Sequence, residues 1–315
     1  MLDGSNARFY TFSFMAQGKG GKLPFTVIGM EGGYLRAPVT LTELTIAPGE
    51  RADILVDFSG LKPGTLVTMQ NSAKAPFPSG ASADPQTTGR LMQFTVTANP
   101  GFVPSVLPTI LNPGLATYPS LTVSATTNVR TMVLTEILAA LGPQELLLNG
   151  MKWDAVTSEM PINGATEVWQ LVNPTADTHP IHLHLVTVQV VSRQKMDTAK
   201  YYNDWVTRQT TAGGGTLPAG SLPPWPLDYV PTMQPIAPYL KSKPTPAPPN
   251  EQGWKDTFQV NPGEVLTLVV RWAPIDGSPT YSFDPTVGPG YVWHCHIIDH
   301  EDNEMMRRYT VLPAA

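Results

Sequence analysis

The sequence is poor in charged residues and in cysteine. Asp, Glu, Lys and Arg make up 14% of its 315 residues, whereas about 25% is usual for a globular protein. The net charge of −5 argues against a nucleic-acid-binding protein, because such proteins carry a basic patch or stripe. The single cysteine, Cys295, excludes a disulfide within the chain. No run reaches the roughly 18 consecutive apolar residues of a membrane-spanning helix, so we expect no membrane span.

Proline and glycine, in contrast, are abundant. The chain has 33 prolines and 26 glycines, and 42% of its residues are hydrophobic, which is too apolar for a disordered protein. Most segments resemble short strands between turn signals such as Pro-Gly and Asn-Pro. Many short strands with such turns are typical of β-sandwiches and Greek-key barrels, so we predict an all-β protein. Helical signal is limited to residues 135–141 and 197–202.

The length and the distribution of proline predict two domains. Residues 1–98 would form the first domain, residues 99–128 a proline-rich linker, and residues 129–315 the second domain. The second domain contains an irregular stretch, residues 213–253, with 11 prolines. A loop of this length inside a compact domain is uncommon and is usually functional or disordered. A surface loop and a substrate-covering lid are equally compatible with this stretch.

All six histidines and the only cysteine lie in two short segments. The first segment reads HPIHLH at residues 179–184, and the second reads HCHIIDHEDNEM at residues 294–305. Histidines that serve only core packing would be scattered along the chain, and none lies elsewhere. Because imidazole and thiolate groups are common ligands of zinc and copper, this clustering predicts metal sites.

The spacing within the second segment predicts two sites on opposite sides of one strand. Residues 292–296 follow a GPG turn and begin with apolar and aromatic residues, which is typical of a strand. Successive side chains of a strand point to opposite faces, so His294 and His296 would share one face while Cys295 occupies the other. His182 and His184 repeat the same two-residue spacing and can both present their imidazoles to one side.

On the cysteine side, the residue types favour copper. His300 and Met305 follow the strand, and His179 can come from the first segment. Two histidines, one cysteine and a weak axial thioether form blue-copper electron-transfer sites. Met306 is the alternative axial ligand by position, and zinc is the competing metal. The other face would carry an all-imidazole set suited to copper that handles dioxygen: His182, His184, His294 and His296.

The two segments resemble the carboxyl-terminal copper motifs of the multicopper oxidases, in particular those of bacterial spore-coat laccases and bilirubin oxidases. The resemblance covers nearly the whole chain, because DGSNAR at 3–8, APGERAD at 47–53 and GWKDT at 253–257 resemble the family's second and third cupredoxin domains. It implies two cupredoxin-like Greek-key β-sandwich domains. It also implies a copper enzyme that oxidises a small aromatic reductant, such as a phenol, an aromatic amine or a tetrapyrrole like bilirubin, and reduces O2 to water.

The resemblance further implies a role for each ligand. His179, Cys295, His300 and Met305 would hold the type 1 copper. His182 would bind the type 2 copper, and His184, His294 and His296 would bind the type 3 pair. His300 would lie at the substrate edge, and electrons would pass through Cys295 to His294 and His296. Glu301 matches an acidic residue that assists proton delivery in the family; a solvated surface carboxylate is the alternative interpretation.

The histidine count departs from the family pattern. The family's trinuclear site uses eight histidines, four of them from the first domain, whereas the six histidines of this chain are all assigned already. The type 1 site is therefore expected to be complete and the type 2 and type 3 sites half supplied. We expect a missing amino-terminal cupredoxin domain. The alternatives are a type 1 copper electron-transfer protein without oxidase activity, and self-association that joins two half-sites across a two-fold axis.

Overall fold

A computed structural model describes residues 1–18, 20–101, 103, 106–139, 142–212, 227, 230–279 and 281–314. Within these residues, β-strands predominate and the α-helices are α1 (Thr198–Ala212) and α2 (Ile298–Glu301). The prediction of an all-β protein is therefore confirmed. Residues 213–226, 228 and 229 of the predicted irregular loop lie outside the described residues. No helix in the described ranges is long and apolar enough to cross a membrane.

The chain divides into two compact units. The first comprises Met1–Ser120 and Pro248–Trp254, and the second comprises Leu121–Ala247 and Lys255–Ala315. The predicted linker is thus divided between the two units after residue 120. The end of the predicted irregular loop, residues 248–253, belongs to the first unit.

The first unit is built from strands that form two sheets. These strands are β1 (Tyr10–Ala16), β2 (Phe25–Met30), β3 (Gly33–Leu41), β4 (Leu44–Ile46), β5 (Ala52–Leu55), β6 (Leu66–Asn71) and β7 (Arg90–Thr95). One sheet has the order β4-β1-β6-β7 and the other has the order β3-β2-β5. Phe12 and Phe14 of β1 contact Phe25 of β2, with ring centroids 5.4 and 5.6 Å apart, so aromatic residues of both sheets share one core.

The segment Pro248–Trp254 contacts the turn between β2 and β3. Gly32 donates its backbone N–H to the carbonyl oxygen of Trp254 at 2.9 Å. A Cβ atom at Gly32 would lie only 2.4 Å from the Cβ of Trp254. A glycine is therefore required at this position for the two backbones to approach so closely.

Replacing Gly32 by alanine tests this contact. We expect Gly32→Ala to lower the free energy of unfolding of the first unit by about 1–3 kcal/mol, the usual cost of overpacking. Gly60→Ala is the matched control, because nothing lies within 4 Å of its added Cβ. It should be neutral or stabilising by up to ~1 kcal/mol. Urea unfolding measures both variants, and equal stability of the two would contradict the close approach.

The second unit also contains two sheets. Its strands are β8 (Asn128–Ala139), β9 (Gly142–Leu148), β10 (Thr166–Asn173), β11 (His179–Leu183), β12 (Val188–Lys195), β13 (Thr245–Pro246), β14 (Thr257–Val260), β15 (Glu264–Arg271), β16 (Tyr291–Cys295) and β17 (Met306–Tyr309). One sheet has the order β13-β12-β15-β10-β8-β9, in which β8 runs parallel to β10, and the other has the order β14-β11-β16-β17. Short 3-10 helices lie at Pro113–Leu115 in the first unit, at Ala237–Tyr239 in the second, and at Pro249–Glu251 in the first.

One of the two helical predictions is correct. Helix α1 includes most of the stretch predicted at 197–202, so that prediction is confirmed. The prediction at 135–141 is wrong, because residues 135–139 continue strand β8 and pair with β9; residues 140 and 141 lie outside the described residues. Pairing with β9 satisfies the backbone hydrogen bonds that a helix would otherwise form.

Three buried tryptophans form the centre of the second unit. Trp169, Trp272 and Trp293 are fully buried, and the ring centroid of Trp169 lies 5.9 Å from that of Trp272 and 5.6 Å from that of Trp293. Trp293 directly precedes His294 in β16. The aromatic core therefore holds the strand that carries the predicted ligands.

Candidate metal centre

The two histidine-rich segments lie on adjacent strands of one sheet. Strand β11 pairs with β16 in antiparallel register, with His182 opposite His294 and Ile181 opposite Cys295. The pairing continues beyond β16, because the N–H of His296 donates to the carbonyl oxygen of Pro180 at 2.7 Å. The tertiary fold thus brings together residues that lie more than one hundred positions apart in the chain.

On one side of β16, three predicted ligands form the cysteine cluster: His179, Cys295 and His300. The Sγ of Cys295 lies 3.7 Å from Nδ1 of His179 and 3.8 Å from Nδ1 of His300. The two Nδ1 atoms are 3.2 Å apart. One nitrogen of each imidazole and the sulfur therefore converge on a common point, as the ligands of a bound metal ion do.

Met305 is tied to this cluster through its backbone. Its N–H donates to the carbonyl oxygen of His300 at 3.0 Å, and its own carbonyl accepts from the N–H of Cys295 at 2.9 Å. Its side chain is fully buried. The neighbouring Met306 begins β17 opposite His294 and is only half-buried.

On the other side of β16 lies the histidine cluster: His182, His184 and His294. One ligand nitrogen from each residue lies within 4.8 Å of the others, and the Nε2 atoms of His184 and His294 are 3.3 Å apart. His296 lies farther out, with ring centroids 5.9 Å from His182 and 5.6 Å from His294. Its Nδ1 is buried without a hydrogen-bond partner, which leaves a nitrogen available to a ligand.

Hydrogen bonds fix which nitrogen of His182 and of His294 carries the proton. Nδ1 of His294 lies 3.0 Å from the carbonyl oxygen of Cys295, and Nδ1 of His182 lies 2.9 Å from that of Asp256. A carbonyl only accepts, so both Nδ1 atoms must be protonated donors. Nε2 of each ring then keeps its lone pair for a metal, the arrangement that metal-binding histidines usually have.

Burial favours the neutral form of three of these histidines, His184, His294 and His300. Burial, together with repulsion from His182 and His184, lowers the pKa of His294 to about 4. Burial and the adjacent His179 lower the pKa of His300 to about 4, and burial also lowers the pKa of His184. Neutral imidazole is the form that binds metal. Burial raises the pKa of the Cys295 thiol, so a metal ion that binds there displaces a proton.

Glu301 directly follows His300 in sequence and lies near the histidine cluster in space. Its Oε2 is 3.8 Å from Nδ1 of His294, and its side chain is 26% exposed. Burial raises the pKa of Glu301, and the negative charge of Asp302 raises it further, against the lowering effect of His296. The carboxyl group is therefore placed where it can exchange a proton between solvent and the histidine cluster.

Two carboxylates that were not predicted from the sequence contact predicted ligand histidines. Oε1 of Glu136 lies 3.3 Å from Nε2 of His179, and Oδ1 of Asp256 lies 3.4 Å from Nδ1 of His182. Asp256 belongs to the GWKDT motif at residues 253–257, so the motif itself could have indicated it. No pattern in the sequence marks Glu136, which lies on β8, far from both segments.

Comparison with known proteins agrees with this geometry. The family model for "Multicopper oxidase" matches residues 119–315, which is more than half of the chain. The chain belongs to the multicopper oxidase family. This multicopper oxidase chain is 33% identical over 315 residues to Multicopper oxidase LPR2 of Arabidopsis thaliana, covering 99% of this chain and 49% of that protein. It is 34% identical over 312 residues to a laccase of Bacillus subtilis (strain 168), covering 98% of this chain and 49% of the laccase.

The family resemblance is thus confirmed, and copper is the metal of this oxidoreductase family. The chain spans about half the length of the curated relatives it matches. Among solved structures, McoA multicopper oxidase from Aquifex aeolicus aligns with a TM-score of 0.65 at 23% identity, covering 98% of this chain and 54% of that one. At this identity the likeness concerns the fold, and it confirms the prediction of cupredoxin-like β-sandwiches.

Proposed function

We propose that this chain supplies a complete type 1 copper site and half of a trinuclear copper site in a laccase-type oxidase. One observation carries the proposal. The adjacent residues His294 and Cys295 contribute to two separate ligand clusters on opposite sides of one strand. A lone metal site would not need both, whereas an enzyme that moves electrons between two metal sites needs a short covalent link of this kind.

The donor groups fit copper at both positions. His179, Cys295 and His300 offer two imidazoles and a soft thiolate, and Met305 supplies the weak axial thioether of a blue-copper site. His182, His184, His294 and His296 offer imidazoles alone, and two of them have their second nitrogen engaged with carbonyl oxygens. His182 would serve the type 2 copper, and His184, His294 and His296 the type 3 pair.

Copper bound in these positions, once the trinuclear site is complete, would supply one-electron oxidation of an organic reductant and the four-electron reduction of O2 to water. The residues of this chain would determine how the two reactions meet. The half-buried His300 would present the edge of its ring to a small aromatic reductant. Cys295 and its peptide bonds join that ring's cluster to His294 and His296. Glu301 would deliver protons beside His294, as the raised pKa of its carboxyl group favours.

A complete trinuclear site needs four further histidines, which must come from outside this sequence. All six histidines of this chain already belong to the two sets. We propose that another cupredoxin domain supplies the other four, or that a second copy of this chain does so across a two-fold axis. His184 is exposed, which leaves the histidine cluster accessible to such a partner.

A second candidate is a type 1 copper electron-transfer protein without oxidase activity. The difference between the two ligand sets favours it, because the cysteine cluster needs no further ligand and the histidine cluster needs several. This protein would exchange single electrons with a partner at His300.

Metal analysis of the purified chain tests the proposal. We expect the copper-loaded chain to show the intense blue absorption of a thiolate-bound copper, and an oxygen electrode to record O2 uptake with a phenol once the other histidine-bearing domain is present. About one copper per chain with blue absorption, but no O2 uptake even with that domain, would support the electron-transfer protein. A chain that binds zinc in preference to copper at Cys295 would overturn both.

A further inference from the structure

Glu136 is a largely buried carboxylate that contacts a predicted ligand histidine. Its side chain is 10% exposed, and its Oε1 lies 3.3 Å from Nε2 of the fully buried His179. Among the ion pairs of the described residues, Glu136 pairs with no lysine or arginine. Removing a carboxylate from water without a cationic partner is costly, and the contact with the His179 ring offsets part of this cost.

The hydrogen bonds around His179 determine which ring nitrogen carries the proton. The side-chain amide of Asn173 donates to the carbonyl oxygens of Asp177 and Val260, both at 2.8 Å. Its Oδ1 is therefore an acceptor, and it accepts from the hydroxyl of Thr175 at 2.7 Å. A hydroxyl has one proton to donate. The contact of 2.8 Å between Thr175 Oγ1 and Nε2 of His179 must then be donated by the histidine.

Nε2 of His179 is therefore protonated, and Glu136 is a second acceptor for the same proton. Nδ1 keeps its lone pair and lies 3.7 Å from Sγ of Cys295. Carboxylates that accept from the outer nitrogen of a ligand histidine fix its orientation and increase its basicity. Thr175 can also fix the orientation of the His179 ring, but only the carboxylate of Glu136 can increase the basicity of the ring to a large extent.

We propose that Glu136 is a positioning residue for His179, and that its negative charge shifts the relative affinity of the cysteine cluster from Cu(I) toward Cu(II). The inference rests on the proposed type 1 copper site. A negative charge in a poorly hydrated environment stabilises the more highly charged ion more strongly. Removing the charge should weaken Cu(II) binding more than Cu(I) binding and raise the reduction potential of the bound copper.

The test compares Glu136→Gln with the wild-type chain, both loaded with copper. Glutamine keeps the shape and an accepting oxygen but removes the charge. Competition with chelators of known affinity measures Cu(II) and Cu(I) binding separately. We expect the Cu(II) affinity of the blue site to fall by about 10–100-fold, the usual effect of losing such a partner. The Cu(I) affinity should fall much less, and a redox titration of the blue absorption should shift to higher potential.

Glu145→Gln is the matched control. Glu145 lies on β9 of the same sheet, and its carboxylate pairs with Lys152 at 2.6 Å, so the substitution removes the same charge from a carboxylate that pairs with a lysine instead of a histidine. It should leave both copper affinities and the potential at wild-type values. If Glu136→Gln behaves like this control, or loses Cu(II) and Cu(I) affinity equally, the inference is overturned. If wild-type protein shows no blue copper at all, the proposed function fails first.

A second measurement needs no copper. Nitrogen-15 NMR of the metal-free chain distinguishes the two neutral forms of a histidine ring. We expect His179 to be protonated at Nε2, and Glu136→Gln to move the Nε2–H proton resonance upfield because the charged acceptor has gone. A proton on Nδ1 of His179 in the wild-type chain would overturn the inference without reference to the metal.

Discussion

Replacing Cys295 by serine will abolish the blue absorption expected of the copper-loaded chain and stop the proposed oxidation of an organic reductant. Cys295 is the only thiol in the chain, and the absorption of a blue-copper site comes from its bond to thiolate. A serine hydroxyl stays protonated at neutral pH and cannot replace it. Absorption spectroscopy and metal analysis should show the loss of about one copper per chain, while the histidine cluster keeps its ligands.

Two controls make this result specific. Cys295 is fully buried, so the new hydroxyl costs about 1–3 kcal/mol if it finds no partner, and urea unfolding will show whether the variant remains folded. Met306→Leu changes the residue next to Met305 and should keep the blue absorption. Persistence of blue absorption in Cys295→Ser would contradict the type 1 assignment. Loss of the absorption in Met306→Leu would transfer the axial role to Met306.

Replacing Arg307 by methionine will destabilise the second unit by about 2–4 kcal/mol. The three lost hydrogen bonds from a charged group contribute ~1.5–3 kcal/mol each, but their loss is partly offset because the cost of burying the charge is also removed. Arg307 is fully buried, and its guanidinium donates to the carbonyl oxygens of Lys152, Ala155 and Val156. Methionine has a similar length but no donor. Urea unfolding of the full chain gives the change in free energy of unfolding.

Arg308→Met is the matched control for this prediction. The neighbouring Arg308 is half-buried, and its guanidinium carbon lies 5.0 Å from the ring centroid of Trp153. Loss of such a contact costs about 0.5–1 kcal/mol. Equal destabilisation by the two substitutions would show that the carbonyl contacts of Arg307 contribute no more than a surface contact. Because Arg307 follows Met305 closely in sequence, Arg307→Met should also broaden or shift the blue absorption.

Much of the candidate site could be predicted from the two short motifs. The identities of the ligands, their two-residue spacing and the alternation of a strand were enough to assign Cys295 and His294 to different clusters. These are local properties, because the side-chain direction in a strand depends only on the position along it. The all-β fold was equally accessible, since it follows from turn signals at short intervals.

The wrong helix prediction at residues 135–141 shows that local sequence patterns do not determine every element of the fold. The stretch contains alanine and leucine, which favour helix. In the folded chain, β8 pairs with β10 over residues 128–133 and with β9 from residue 134 onward. Pairing with partners distant in sequence outweighs propensity differences of less than ~1 kcal/mol per residue.

The sequence alone therefore identified the candidate copper ligands and predicted that they form two sets on opposite sides of one strand. Only the tertiary structure decided what surrounds them. The contact between His179 and Cys295 spans 116 positions. The proton on Nε2 of His179 depends on Asn173 and Thr175, and Glu136 reaches that nitrogen from a separate strand. Such arrangements depend on how the sheets assemble. Hydrogen-bond partners outside a motif have no fixed spacing from it, so the sequence alone does not predict them.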